Sequence, residues 1–514
     1  MGRTLPALHP AHHLPTLPIR ELDHVLDAFI PGPISNHSYQ HLAAELARAN
    51  AQISEIIRNC VVLRREYNAE LSVMQLPPEL LSEIFLWACD GDSSFPPLSL
   101  GAVCTNWRSV AWSTPRLWTS INLHLTSNRF KTQTYLLDEW LARGGTCPIS
   151  IFFSSEFPLR DPDGECELPG DRAMSLLVAH SERWREVDLT IKLRQFPSLA
   201  QVSGRISRLA RFSMETMDRF SVTDNLYMFE DAPRLQELCL RRTQCFFTDA
   251  SFPWTQLQKL DLHGISVDQC LKTLRRAPNI SFCRLQTVSA SIPNGAGAAA
   301  SEIISLPQLR TLDILDSHAP SIYIIMDKIS APNLTALSIS PSRPSTFYPS
   351  NIIRFVLQSK CALERLSIST FYLSEADIIS CVSVLPSVMT LDIALPTVSE
   401  AGDISDKFIS LLGPFHQTCT PQSEPFLPNL RTFKYNGKIS ASARQLIDML
   451  CSRWNCSYAR DTLEGLQKSA ARLESVIIKS PSSMKVPTEF KEILNALVAE
   501  GMNLSIELLG SRWI

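Results

Sequence analysis

Few residues of this chain have the types and spacing needed for chemistry, and each such set lacks a companion. Gly295-Ala296-Gly297-Ala298-Ala299-Ala300 matches G-x-G-x-x-A, a spacing that brings backbone N–H groups close to a dinucleotide pyrophosphate. Asp313 follows downstream, where a ribose-binding acid would stand, but no alternating parallel βαβ pattern surrounds the glycines, so a flexible loop is expected. His9, His12 and His13 lie in a proline-rich stretch where such clusters arise by chance, and predict no metal site. The 14 cysteines include no C-x-x-C pair. Cys60, Cys104, Cys239, Cys283 and Cys381 keep apolar company, as buried free thiols of a reducing compartment would. G-x-S-x-G, G-x-x-x-x-G-K-[ST] and H-E-x-x-H are absent, and nothing pairs Cys456 with His416 as nucleophile and base. No catalytic residue, metal or cofactor is expected.

Binding is the stronger signal. In Leu76-Pro77-Pro78-Glu79-Leu80-Leu81 the prolines suit a helix start, and Glu79 complements the positive end of the helix dipole. Leu80, Leu81, Ile84, Phe85 and Ala88 then recur at helical spacing. A second short helix carries Val103, Cys104, Trp107 and Arg108, and Leu117-Trp118 closes the stretch. So small a module has little room to hide this much apolar surface, which predicts a partner. Residues 74–123 resemble an F-box, with two departures: Thr105 and Asn106 stand where a basic pair is common, and residues 90–97 lengthen the inter-helix loop. The resemblance implies docking on the small adaptor subunit of SCF-type cullin–RING ubiquitin ligases. It implies an adaptor interface of Leu76, Pro77, Pro78, Leu80, Leu81, Ile84, Phe85, Val103, Cys104 and Trp107.

The flanking segments must position this module. Residues 1–34, rich in Pro and His without hydrophobic periodicity, are expected to be a disordered arm. Residues 35–73 read as a long amphipathic helix, from 38 to 72 at its core. Tyr39, Leu42, Leu46, Ala49, Ile53, Ile56, Cys60, Leu63 and Tyr67 alternate by three and four along it. The flanking residues form no complementary salt-bridge set, and Ile57, Val61 and Val62 broaden the stripe. Packing against the F-box or the repeats is therefore favoured over a homodimer through residues 39–67.

Residues 124–514 repeat the pattern L-x-x-L-x-L, with apolar substitutes. Copies start at Trp184, Leu209, Leu235, Leu257, Ile280, Leu309, Leu334, Leu363 and Val388, and two late ones at Leu430 and Leu473. Trp118-Ile121-Leu123 and Pro148-Ile151-Phe153 are cruder early copies. Each copy predicts a short strand followed by a helical or irregular return, as at 135–143, 268–276, 352–358, 443–453 and 489–499. The expected fold is α/β: a helical F-box module followed by an irregular leucine-rich-repeat-like solenoid of short parallel strands. Asparagine or cysteine is mostly missing after the strands, so other groups must satisfy the turn backbone. The whole resembles the large F-box and repeat families of mushroom-forming fungi, including Tyr135-x4-Trp140-Leu141, Asp448-Met449-Leu450-x-Ser452-Arg453-Trp454 and Gly501-x-x-Leu504-x-Ile506.

The residue between the last two apolar positions of each strand alternates away from the core. Asp188, Asp261, Arg284, Asp313 and Asp392, with Arg365 nearby, are the candidate face for a protein substrate. With 48 basic and 51 acidic residues and a net charge of -3, no footprint for nucleic acid is visible. No apolar run is long enough for a bilayer and the start lacks a signal-peptide core, so an intracellular place, cytoplasmic and/or nuclear, is expected. By resemblance the chain is a non-catalytic substrate receptor of an SCF-type ligase. A non-degradative scaffold is the second reading and an undetected enzyme the third.

Overall fold

A computed structural model describes residues 36–89, 97–126, 128–155, 169–192, 195–216, 227–242, 251–289, 303–342, 348–395, 403–413, 426–455, 470–482, 487–508 and 511–512. The N-terminal arm, the 295–300 run, His416 and Cys456 lie outside these residues. The chain divides into two compact units, Met1–Ala111 and Trp112–Ile514.

The first unit is helical: α1 (Asn36–Ala69), a 3-10 turn (Ser72–Gln75), α2 (Pro78–Cys89), α3 (Pro97–Val103) and the start of α4 (Thr105–Trp112). Leu71 is extended, with φ -70° and ψ 133°, and separates α1 from the turn. Every residue from 40 to 67 is exposed, so the packing of this helix against the F-box of its own unit, expected above, is not found. In the short helices that follow, Leu81 and Phe85 point inward, and the Phe85 ring lies 4.9 Å from that of Trp107. Cys60, read as buried, is exposed with the rest of α1.

The second unit is an array of strands. They are β1 (Ser120–Leu125), β2 (Ile149–Ser155), β3 (Trp184–Ile191), β4 (Arg211–Thr216), β5 (Glu237–Arg241), β6 (Lys259–His263) and β7 (Phe282–Gln286). Then come β8 (Ile304–Ser305), β9 (Thr311–Ser317), β10 (Ile329–Ser330), β11 (Ala336–Pro341), β12 (Arg365–Ser369) and β13 (Thr390–Ala394). The last are β14 (Thr432–Asn436), β15 (Ser475–Ser480), β16 (Asn503–Leu508) and β17 (Ser511–Arg512). Fifteen form one sheet in chain order, parallel throughout except for β17, while β8 and β10 pair separately. Helices return the chain between strands: α5 (Phe130–Arg143), α6 (Pro169–Ala179), α7 (Phe196–Ala200), α8 (Val267–Arg276), α9 (Ala319–Lys328) and α10 (Pro349–Ser359). They continue with α11 (Glu375–Ser383), α12 (Asp406–Leu412), α13 (Ala443–Trp454) and α14 (Thr488–Ala499). One continuous apolar core runs from Ile121 to Leu508. Every copy of the six-residue pattern named above forms a strand, and the closing Leu504-x-Ile506 forms β16.

After the strands a hydroxyl serves in place of the missing asparagine, as where Ser317 Oγ accepts the Val288 N–H at 3.0 Å, and at the strand entries asparagine amides bind the turn backbone. Asn279, Asn333 and Asn429, each just before a copy, donate through Nδ2 to the carbonyls of Thr255, Pro307 and Pro386 in the preceding turn, at 2.6, 2.7 and 2.9 Å. On the helix side, Glu375 of α11 accepts from the N–H groups of Ser405 and Phe408 at the start of α12. Asp406 of α12 accepts in turn from Ser442, the N-cap of α13. Two buried arginines serve helix ends: Arg183 donates to the carbonyls of Leu141 and Cys147, and Arg453 to those of Leu412, Phe426 and Leu427. Replacing Arg453 by Leu strands several buried carbonyls and should cost about 3 kcal/mol or more, read by urea unfolding. Arg431→Leu, which breaks only an exposed pair with Glu474 at 3.0 Å, should cost less than about 1 kcal/mol.

Candidate functional site

In the first unit, proline in the first turn and Glu79 fix where α2 begins, and its periodicity then sorts its side chains. Leu81 and Phe85 are 0% and 1% exposed. Leu80, Ile84 and Trp87, at i, i+4 and i+7, form the opposite stripe and are 53%, 49% and 81% exposed. Pro77 and Pro78 are exposed and Leu76 is half-buried. On α3, Leu98 and Val103 are exposed. Cys104 precedes α4, and its Sγ accepts the N–H of Trp107 at 3.4 Å, an N-cap role usually filled by Ser. Arg108 Nε donates to the Gly101 carbonyl at 2.8 Å, tying α4 to α3.

The expected interface set therefore separates. Pro77, Pro78, Leu80, Ile84 and Val103 face outward; Leu81 and Phe85 build the core that holds the helix; Leu76, Cys104 and Trp107 lie between. An inward Leu81 or Phe85 supports a docking face without touching a partner. Trp87 was not among the expected residues, yet it is the most exposed large apolar side chain of the chain's described residues. Continuing the Leu80–Ile84 spacing by three would have found it.

The second candidate is the sheet face turned away from the helices. Asp188, Ser213, Cys239, Asp261, Arg284 and Asp313 are register partners across β3 to β9, and the row continues through Ser338, Ser367, Asp392 and Lys434. Arg365 is not on this row. It pairs with Ala336 and Thr390 one row over, and its guanidinium lies 3.7 Å from Glu364. Arg284 binds Asp313 through Nη2 at 3.1 Å and Nε at 3.3 Å. Arg241, one row over, lies 3.9 Å from Asp188. Burial pushes the Asp261 carboxyl up against the opposing pull of Arg284, Arg241 and His263, and pushes up the Cys239 thiol with help from Asp261. Asp392 is also raised by burial, opposed by Lys434. This face offers half-buried charges, with the Cys239 thiol hydrogen-bonded to the Asp261 carboxyl.

Residues 73–124 match the family model described as F-box-like. No curated protein matches the chain. Among the described residues, no helix is long and apolar enough to cross a membrane, and no group of three His, Cys, Asp or Glu side chains could hold a metal ion.

A carboxyl raised by burial binds its proton more tightly when folded, so its charge costs stability once pH exceeds the ordinary carboxylate range. Asp261→Asn should therefore raise the thermal midpoint at neutral pH, and the gain should vanish below the unfolded carboxyl pKa. A scan of midpoint against pH checks the sign.

Proposed function

We propose that this chain is a substrate receptor of an SCF-type cullin–RING ubiquitin ligase. Its F-box-like domain binds the ligase's small adaptor subunit, and its strand array binds a protein target. The observation that carries the reading is the bare Leu80–Ile84–Trp87 stripe inside the matched domain. A folded α2 presents three large apolar side chains on one face, the composition of an interface hot spot. The adaptor-binding habit of F-box domains supports the reading that the adaptor covers that stripe. Catalysis would then be proximity: the receptor raises the effective concentration of a target lysine near the reactive group of another subunit. The reading places the protein inside the cell, in cytoplasm or nucleus.

Trp87→Ala and Ile84→Ala should each weaken adaptor binding by about 2 kcal/mol while leaving far-ultraviolet circular dichroism unchanged. Isothermal titration with purified adaptor measures this. Phe85→Ala should instead destabilise the module by about 3 kcal/mol or more. Full adaptor affinity in folded Ile84→Ala and Trp87→Ala proteins would remove the docking face from α2.

Target capture is assigned to the row through Asp261, Arg284 and Asp313, where alternating charge penalises mismatched partners. Reversing Asp261 and Asp313 to Lys should leave adaptor binding intact and reduce recovery of specific clients, most at low salt. Quantitative mass spectrometry of co-purified proteins reads the difference; an identical client list at every salt concentration would move recognition elsewhere.

A further inference from the structure

We propose that α1 is a dimerisation element: two copies of this chain pair their α1 helices as a two-stranded coiled coil. Leu42, Leu46, Ala49, Ile53, Ile56, Cys60, Leu63 and Tyr67 occupy successive a and d positions of a heptad without interruption. All of these are exposed, with Leu42, Leu46, Ile53, Ile56, Leu63 and Tyr67 each at least half so. Among the described residues of its own unit, the helix makes its main contact with the 3-10 turn that follows it. Nothing among the described residues covers the apolar stripe of this 34-residue helix, whereas most helical stability in proteins comes from packing such a face.

The covered area is sufficient. A standard stable interface buries about 800 Å² per partner, and eight exposed seam positions spread over roughly 38 Å of helix offer a contact of that order. Charge argues for a second copy over a different helix. Coiled coils that select an unlike partner do so with opposite charges at the flanking e and g positions. Here those positions hold Ala43, Asn50, Ile57 and Arg64 on one side, and Glu45, Gln52, Asn59 and Glu66 on the other. Glu45, Glu66 and Arg64 are the charges among these eight, too few and too mixed in sign to demand an oppositely charged partner, and no charged residue interrupts the seam. Most of the remaining charge, Arg48, Glu55, Arg58 and Arg65, falls on outer positions. A dimer would carry two F-box-like domains and two arrays, so that one client could be held at two points.

The test uses the full chain in sedimentation velocity at micromolar concentration, alone and with the purified adaptor. The expected result is a species of twice the chain mass. Ile53→Lys with Leu63→Lys, which puts charge into the seam, should convert it to monomer while adaptor binding is retained. Arg58→Ala, on the outer face, should leave the dimer intact. A monomeric parent protein overturns the proposal, as does a dimer that survives the seam substitutions. Equal loss of the dimer with Arg58→Ala also overturns it, since any disturbance of the helix would then act alike.

Discussion

The array depends on register between successive strands. A parallel neighbour shifted by one residue would turn Leu260 and Leu262 outward and drive Lys259, Asp261 and His263 into the core. The pairs Leu260–Cys283, Cys283–Leu312, Leu312–Leu337 and Leu337–Leu366 keep one register through the middle of these strands, and the shift between β9 and β11 comes at their ends, between Ser340 and Pro341. The same constancy lines up the outward residues, so the polar row is a by-product of core packing. Its composition was free to vary because its position was not.

Holding that register requires every turn to satisfy its backbone groups in the same place. The chain leaves β5, β6 and β7 through residues of positive φ, Arg242, Gly264 and Thr287, and Asp316 has positive φ just inside the end of β9. The N–H groups of Arg242, Gly264 and Thr287 reach the carbonyls of His263, Gln286 and Leu315 on the next strand. Only Gly264 is conformationally free there. Thr287, β-branched at φ 54°, is held by its neighbours against its own preference. At the opposite end of the strands the asparagine amides do the corresponding work. Asn279 and Asn333 lie in N-x-S/T triplets, and their amides are engaged by backbone carbonyls of the preceding repeat.

The strands were legible because their signal is local: two buried side chains two residues apart after an apolar entry. β16 escaped as a copy because Gly501 stands at that entry, and β8 and β10 because two residues carry no period. The returns at α9 and α11 were missed for different reasons. Ile322, Ile324 and Ile325 make α9 read as a strand, and its helix is imposed by packing. Ahead of α11, Ser374 and Asp377 form a capping box that the sequence does display. In the F-box-like domain, residue types were readable but not their faces. Leu80 and Leu81 are adjacent and chemically alike, and only the rotation of the folded helix separates an exposed side chain from a buried one. The line from Asp188 to Asp313, and the parallel line two residues earlier that holds Ala336, Arg365 and Thr390, both follow from spacing alone.

The row of outward residues is also a ruler with a fixed graduation. Neighbouring strands lie about 4.8 Å apart, so its charges advance by that step. An extended peptide laid along the row presents like-facing side chains about 6.8 Å apart, and a helix advances about 5.4 Å per turn. Neither stays in step for more than a few residues. A surface with its own strands packed side by side advances by the same interval, and a helix row taken at every third residue, about 4.5 Å per step, comes close to it across Asp261, Arg284 and Asp313.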